Sequence, residues 1–284
     1  MLPETVVAFI SAQGWGQVTR MEPVAGGCIS NGRVLRTATG PTLFLKLNPA
    51  APADMFQREA EGLAALAAVT GAPRVPNVYC AGQAFLLLEY LAPAPPASAF
   101  WADLGQQLAR LHSATQPGFG FEHDNYIGAT PQPNNWTADG YAFFADQRLR
   151  FQAERAHRAG LLSTSSLRLN ERLANHLHNL LPPQPASLIH GDLWSGNIIP
   201  GPAGRACLID PAAHYGWAEA DLAMMALFGR PPQLFYDGYS AARRLAPGYR
   251  ERFDLYNLYH LFNHLNLFGP AYLQSVEAVL VRYA

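Results

Sequence analysis

Three oxygen-bearing side chains with a spacing that suits phosphoryl transfer occur between residues 190 and 210. Asp192 follows His190-Gly191, Asn197 comes five residues later, and Asp210 ends the apolar run 207–209. Hard cations such as Mg²⁺ prefer oxygen ligands, and phosphoryl transfer requires a carboxylate that orients the attacking hydroxyl. If the apolar runs are neighbouring short strands, these side chains meet at one edge. The pattern predicts a phosphoryl-transfer site.

The same spacing is found in the protein-kinase catalytic loop, where an Asp, an Asn five residues later and a more distant metal-binding Asp act together. Two departures point away from protein kinases, because Gly191 replaces the usual Arg and Pro211-Ala212 replaces Phe-Gly. They favour small-molecule kinases of the same fold. The alternative is an ordinary loop with a capping Asp, since Asp and Gly are common turn residues.

Residues 17–47 predict three antiparallel strands, with the glycine-rich segment 26–32 as the first hairpin. Glycines let backbone N–H groups approach phosphates, although such a segment is as typical of a plain hairpin turn. Lys46 lies inside the next apolar strand, from which a lysine can reach nucleotide phosphates and pair with a Glu on the following helix. Helix 54–69 supplies that partner, for which we expect Glu59 rather than a solvated Glu61.

Two lobes are expected, and the fold class is α+β. Runs 78–81 and 84–91 complete a five-stranded antiparallel sheet with one main helix, and the Pro-rich tract after residue 91 is a stiff connector. The predicted domains are a nucleotide-binding lobe (1–91) and a larger, mostly helical lobe for catalysis and substrate (92–284). We expect adenine to bond the backbone at Glu89, Tyr90 and Leu91. The long loop 117–140 is expected to contact substrate.

The composition is that of a globular protein, with a formal net charge of -1. This charge gives no reason to expect nucleic acid or an anionic membrane as a partner. No apolar run approaches the roughly 20 residues of a membrane span, and the start lacks a signal core, so we expect a cytoplasmic protein. Three dispersed cysteines suit a reducing compartment. Four histidines at 190, 214, 260 and 264 lack the spacing of a metal motif.

Together these motifs resemble the fructosamine-3-kinase, or ketosamine kinase, family within the aminoglycoside-phosphotransferase-like group, and the resemblance covers nearly the whole chain. The Leu193-Trp194-Ser195 insert in the catalytic loop is its most specific feature. The residues that carry it are Gly26–Ser30, Phe44–Lys46, Phe56 with Glu59 and Ala60, Leu88–Leu91, Gly128 with Pro131, Gln132, Asn134 and Trp136, His190–Asn197, Asp210–Ala212 with Tyr215, Gly216, Glu219, Asp221 and Leu222, and Asn263 with His264, Asn266, Phe268 and Gly269.

The resemblance implies ATP-dependent phosphorylation of the sugar 3-hydroxyl of ketosamines, whose product decomposes and releases the amine, so that the activity is deglycating repair. It implies Asp192 as the base, Asn197 and Asp210 as magnesium ligands, and Lys46 with Glu59 as the phosphate clamp. The implied nucleotide loop comprises Gly26, Gly27, Cys28, Ile29 and Ser30.

The substrate residues that the resemblance implies are Trp194, Trp217, Glu219 and Asn134. Trp faces suit a sugar ring and a carboxylate suits a protonated amine, but Trp217 could equally be a core residue and Glu219 a helix-capping carboxylate. Asp221 is expected to accept hydrogen bonds from catalytic-loop N–H groups. Gly140 replaces a Trp that relatives tend to have, which puts the sugar preference in doubt.

Several alternatives stay open. A kinase for an aminoglycoside, choline or a similar acceptor would share the ATP-side residues, whereas a nucleotide-binding pseudokinase is disfavoured because those residues are intact. The chain is expected to be a monomer or a redox-dependent homodimer linked through Cys28, although a small reduced packing residue is the preferred interpretation of that cysteine.

Overall fold

A five-stranded antiparallel sheet forms the N-terminal part of the computed structural model, which describes residues 2–24 and 31–284. Its order is β1-β2-β3-β5-β4, and every neighbouring pair is antiparallel. The sheet and the α+β class predicted from the sequence are confirmed. The strands are β1 (Val18–Val24), β2 (Asn31–Thr37), β3 (Leu43–Leu47), β4 (Val78–Gly82) and β5 (Phe85–Glu89).

The two faces of this sheet belong to different cores because side chains alternate along a strand. Helix α1 (Glu4–Ala12) packs on one face, where Leu43, Leu45 and Leu87 are buried. On the other face lies α2 (Met55–Ala67), and there Leu86 and Leu88 join the large core that continues into the rest of the chain. In β3 this alternation places Lys46 on the α2 side.

The rest of the chain is mostly helical. Its α-helices are α3 (Phe100–Leu111), α4 (Gly140–Phe144), α5 (Phe151–Arg158), α6 (Thr164–Leu180), α7 (Ala218–Leu227), α8 (Gln233–Ala242), α9 (Phe253–Phe268) and α10 (Leu273–Tyr283). A π-helical segment (Ala145–Arg150) joins α4 to α5, and 3-10 turns cover Ser195–Asn197, Pro202–Gly204, Tyr249–Arg252 and Pro270–Tyr272. In the described residues, no helix is long and apolar enough to cross a bilayer.

Short strands hold the catalytic stretch. The central strand β9 (Ala186–Ile189) lies between β6 (Thr115–Gln116) and β12 (His214–Gly216), while β10 (Ile198–Pro200) pairs with β11 (Ala206–Leu208). The loop 117–140 contains a hairpin of β7 (Asn125–Ile127) and β8 (Thr130–Gln132). The Pro-rich tract is anchored to the β10–β11 hairpin, because the Ala94 N–H donates to Pro200 O at 3.1 Å. The division into lobes near residue 92 stays a prediction.

Two helices, α8 and α10, were not predicted from the sequence. Helix α8 was not predicted because it contains Gly238, and glycine in a helix costs about 1 kcal/mol relative to Ala. That glycine is required for packing, because a Cβ there would lie 2.2 Å from Ala102 O on α3. Gly105 of α3 meets α8 in the same way, with a hypothetical Cβ 2.1 Å from Phe235 O.

We expect Gly105→Ala to destabilise the protein by about 1–3 kcal/mol, because the added methyl must push α3 and α8 apart. Urea unfolding followed by circular dichroism measures this change. Gly118→Ala is the control, since its Cβ would lie no closer than 3.4 Å to other atoms. Equal stability of the two variants would contradict the proposed backbone contact.

Candidate active site

An ion-pair cluster around the buried Lys46 joins the sheet, α2 and the stretch after β11. The Lys46 Nζ donates to Glu59 Oε1 at 2.5 Å and to Asp210 Oδ1 at 2.6 Å, and the residue is only 7% exposed. Burial alone would lower the pKa of this amine, but the charges of Asp210 and Glu59 outweigh that effect and raise the pKa above its ordinary 10.5. Lys46 is therefore a permanent cation, and Glu59, not Glu61, is its partner. Glu61 pairs instead with Arg58.

Asp210 reaches this cluster through an unusual backbone. Its φ of 55° lies in the left-handed region, which few residues other than Gly adopt and which Asp tolerates better than most. Because Ile198 pairs with Leu208 and the Ile209 N–H donates to Asn197 O at 3.1 Å, Asn197 and Asp210 lie at the same end of the β10–β11 pair. The arrangement expected from sequence is present.

Asp192 and Asn197 are directly linked. The Asn197 Nδ2 donates to Asp192 O at 2.8 Å and to Asp192 Oδ2 at 3.3 Å, which fixes the carboxamide and turns its Oδ1 away from Asp192. Burial, and then the charge of Asp210, raise the pKa of Asp192 from 3.8 to about 7. A carboxylate of this pKa is better matched to proton transfer near neutral pH than an ordinary Asp.

Asp221 holds the catalytic loop in place through hydrogen bonds to its backbone. Its carboxylate accepts from the His190 N–H at 2.7 Å and the Gly191 N–H at 2.9 Å, as the sequence predicted. His112 Nε2 lies 3.2 Å from the same carboxylate, and its Nδ1 lies 2.8 Å from the Tyr239 hydroxyl. Burial would raise the pKa of Asp221, but the hydrogen bond and charge of His112 lower it overall. The role of His112 was missed in the sequence because its partners lie on α7 and α8.

Asn134 belongs to a buried carboxamide network rather than to an open surface. Its Nδ2 donates to Asn125 Oδ1 at 2.9 Å, and its Oδ1 accepts from Arg148 Nη2 at 2.7 Å. Gln132 Nε2 donates to the same Asn125 Oδ1 at 2.7 Å and to Ala212 O at 3.1 Å. The network thus ties the β7–β8 hairpin to the segment that follows Asp210. The buried Arg148 at its centre was not singled out from the sequence.

The three other candidate substrate residues differ in their surroundings. Trp194 is 38% exposed beside the catalytic loop. Trp217 is only 4% exposed and makes edge-on contacts with the rings of Phe119, Tyr141 and Tyr256, so it is a core residue in this structure. Both carboxylate oxygens of the buried Glu219 accept from Arg252, at 2.8 and 2.7 Å. That carboxylate is therefore satisfied without a substrate amine.

On the nucleotide side, the Glu89 N–H donates to Asn77 O at 2.8 Å, and its carboxylate accepts from Arg74 and from Asn77. The Glu89 N–H is thus engaged within the protein, and the adenine contacts expected at the backbone of Glu89, Tyr90 and Leu91 stay predictions. The glycine-rich segment at Gly26, Gly27, Cys28, Ile29 and Ser30 lies outside the described residues.

A family model for fructosamine kinase matches residues 2–283. The chain belongs to the fructosamine kinase family. It is 42% identical over 287 residues to a probable ketoamine kinase of Synechocystis, with 98% of this chain and 96% of that protein covered.

Solved structures agree with the family. The crystal structure of a fructosamine-3-kinase candidate from Thermobifida fusca matches with a TM-score of 0.89 at 35% identity, covering 99% of this chain and 98% of that one. An aminoglycoside phosphotransferase, APH(2'')-Ib, matches with a TM-score of 0.64 at 14% identity, covering 98% and 97%. The second likeness shows the fold alone, as expected for an aminoglycoside-phosphotransferase-like group. The fold and the kinase class predicted from the sequence are confirmed.

Lys46 is the only lysine in the chain, so amine-directed chemistry reports on it alone apart from the α-amine. We expect an amine-acylating reagent to modify Lys46 very slowly, because it is buried and protonated. Glu59→Gln should increase the rate at least about tenfold, the effect of a one-unit fall in pKa. Peptide mass spectrometry after chymotryptic digestion measures the modified fraction. Glu61→Gln is the matched control on the same helix, and an equal increase in both variants would contradict the specific pairing.

We expect the Asp192 carboxyl of the ligand-free protein to titrate near pH 7. Below that pH the group is protonated, and above it the ionised form needed by a base predominates, so any rate that depends on it should rise with pH. Asp210→Asn should lower the midpoint by removing a neighbouring negative charge. Carboxyl ¹³C NMR in metal-free buffer, with Asp192→Asn to assign the resonance, measures both values. A midpoint near 4 would show that Asp192 is not buried as described.

Proposed function

We propose that this protein is an ATP-dependent ketosamine kinase that phosphorylates the 3-hydroxyl of the sugar. The product is expected to decompose and release the amine, so that the reaction removes sugar adducts from amines. Membership of the fructosamine kinase family supports this proposal, and the single observation that carries it for this chain is the meeting of Lys46, Glu59 and Asp210 beside Asp192 and Asn197. A pseudokinase would not need these side chains to be brought together in this arrangement.

In the proposed reaction, Asp192 accepts a hydrogen bond from the sugar hydroxyl and takes its proton as the oxygen bonds to the γ-phosphorus. The bond from that phosphorus to the bridging oxygen of ADP breaks at the same time. Lys46, positioned by Glu59, offsets charge on the phosphates. Catalysis of this kind depends on positioning and electrostatics rather than on covalent chemistry by the protein.

Magnesium is the proposed metal, and the donors present are suitable for it. Asn197 and Asp210 supply two oxygen ligands, and Mg²⁺ is commonly held by one or two protein oxygens together with substrate phosphates and water. The Asn197 amide nitrogen is already engaged by Asp192, so its Oδ1 would be the atom available to hold the metal. The metal would neutralise charge on the phosphates of ATP.

The sugar is proposed to bind against Trp194, the exposed aromatic residue of the catalytic loop. Its face suits the C–H surface of a sugar and can hold the protonated amine of a ketosamine by a cation–π interaction. Asn134, Trp217 and Glu219 are assigned to supporting roles behind that site, since all three are buried and bonded or packed within the protein. The adenine is proposed to bond Tyr90 or Leu91, and residues 26–30 to cover the phosphates. The cytoplasmic location and a Cys28-linked homodimer remain predictions.

We expect Asp192→Asn to bind ATP with nearly unchanged affinity but to lower turnover by about 100-fold or more, the scale of a lost positioned base. ADP formation with magnesium measures turnover on ribulose-lysine, fructose-lysine, choline and an aminoglycoside. Asp237→Asn, an exposed carboxylate on α8, is the matched control.

The panel separates the competing acceptors. Turnover confined to the two ketosamines supports the proposal and ranks the sugars. Turnover only on choline or the aminoglycoside would reassign the acceptor and keep the ATP-side roles. ATP binding without turnover on any acceptor would favour the pseudokinase, and near-normal turnover of Asp192→Asn would remove that residue from the base role.

A further inference from the structure

An exposed row of aromatic rings begins at the catalytic loop and runs away from it. We call it the aromatic strip, and it consists of Trp194, Phe228, His264, Phe268 and Tyr272. Consecutive ring centroids lie 6.2 Å apart from Trp194 to Phe228, 5.2 Å from there to His264, and 5.4 and 5.0 Å from His264 to Phe268 and Tyr272. Three of these residues are large and open to solvent, since Trp194, Phe228 and Phe268 are 38%, 46% and 49% exposed.

Separate elements build this strip, so it is not the apolar face of one helix. Trp194 comes from the catalytic loop, Phe228 follows the end of α7, and His264 and Phe268 lie one turn apart on α9. Gly196 shapes the first member, because a Cβ at that position would lie 2.3 Å from the Trp194 ring. The loop thus has a glycine where the indole must fold over it. Contiguous exposed apolar surface of this kind commonly marks a binding surface.

The strip carries no formal charge near neutral pH. Burial lowers the pKa of His264 below 6.5, and its Nδ1–H donates to His260 O at 2.7 Å, so the ring is neutral. Its other four members are Trp, Phe and Tyr side chains. The surface therefore suits apolar or aromatic groups rather than phosphate or carboxylate.

The position of the strip identifies its occupant. Trp194 follows Asp192 by two residues and its backbone N–H donates to Asp192 O at 3.1 Å, so the strip starts in the same loop as the group that is proposed to receive the sugar hydroxyl. What extends beyond the sugar in a ketosamine is the substituent on its amine. An extended peptide advances about 3.3–3.6 Å per residue, so each step between rings corresponds to roughly one and a half residues. The strip is long enough to contact residues that flank a modified lysine.

We propose that the aromatic strip binds apolar side chains next to the sugar-bearing lysine of a peptide acceptor and so gives this kinase a preference for sequence context. The proposal rests on the proposed function and adds to it a surface that selects among acceptors. A second copy of the chain is a less suitable occupant, because a stable dimer buries about 800 Å² per partner over twenty or more residues, far more than five rings supply.

The test compares two peptides with a central ketosamine-bearing lysine, Gly-Gly-Lys-Gly-Gly and Phe-Gly-Lys-Gly-Phe, both with blocked termini. ADP formation gives kcat/KM for each, and the ratio between them is the readout. We expect the wild-type protein to favour the Phe-containing peptide, mainly through KM. Phe228→Ala and Phe268→Ala should each lower the ratio by about 3- to 10-fold, the equivalent of one aromatic contact of about 0.5–1.5 kcal/mol.

Val281→Ala is the control, since this residue is exposed and lies on α10 outside the strip, and it should leave the ratio unchanged. Phe228→Leu controls for misfolding, because it keeps an apolar side chain of similar size, and it should reduce the ratio less than Phe228→Ala. Equal wild-type kcat/KM on the two peptides, or an unchanged ratio in both Phe→Ala variants, would overturn the strip proposal. A concentration-dependent dimer that Phe268→Ala dissociates, with the ratio unchanged, would assign the strip to a second copy and overturn it too. If the wild-type protein phosphorylates neither peptide nor fructose-lysine, the proposed function itself fails.

Discussion

The contact on which the rest of the site depends is the pairing of one buried cation, Lys46, with two carboxylates, of which Glu59 is 15% and Asp210 42% exposed. Lys46 Nζ lies within 2.6 Å of oxygens from Glu59 and Asp210, which are 13 and 164 residues away in the chain. Because the Lys46 amine is buried, its charge would be strongly unfavourable without these carboxylates. The cluster therefore couples the sheet, α2 and the strand end that carries Asp210. It fixes their relative positions as well as the charge that meets the phosphates.

A second set of contacts fixes the position of the catalytic loop. Asp221 accepts hydrogen bonds from two backbone N–H groups of the loop and lies 3.2 Å from His112 Nε2. The carboxamides of Asn125 and Gln132 donate to the backbone just after Asp210, and Asn134 donates to Asn125. The carboxamide network also includes the buried Arg148, whose guanidinium donates to Asn134 Oδ1 at 2.7 Å. The raised pKa of Asp192 follows from its burial and from Asp210.

The buried and the exposed aromatic residues near the catalytic loop have different roles. Trp217 packs among Phe119, Tyr141 and Tyr256, and this cluster lies under α7 where Glu219 and Arg252 are paired. Trp194 and Phe228, in contrast, leave large ring surfaces in solvent next to the loop. A protein core buries aromatic rings for stability, whereas a contiguous row of exposed rings commonly marks a binding surface. This difference in exposure distinguishes Trp217, which supports the site from within the core, from Trp194 and Phe228, whose rings are accessible to an acceptor.

The sequence by itself determined the chemistry and the local elements. Short apolar runs at 43–47 and 85–89 predicted strands of the sheet, and the two-residue period of a strand assigns Lys46 to the face opposite Leu43 and Leu45. The spacing of Asp192, Asn197 and Asp210 is likewise local and could be recognised directly. What only the tertiary structure decided is which partner each polar side chain meets. Arg252 for Glu219 and Arg148 for Asn134 come from distant elements, and no local pattern encodes such contacts. Helix α8 belongs to the same class, because its Gly238 is unfavourable for a helix alone and becomes necessary only where the α3 backbone packs against it.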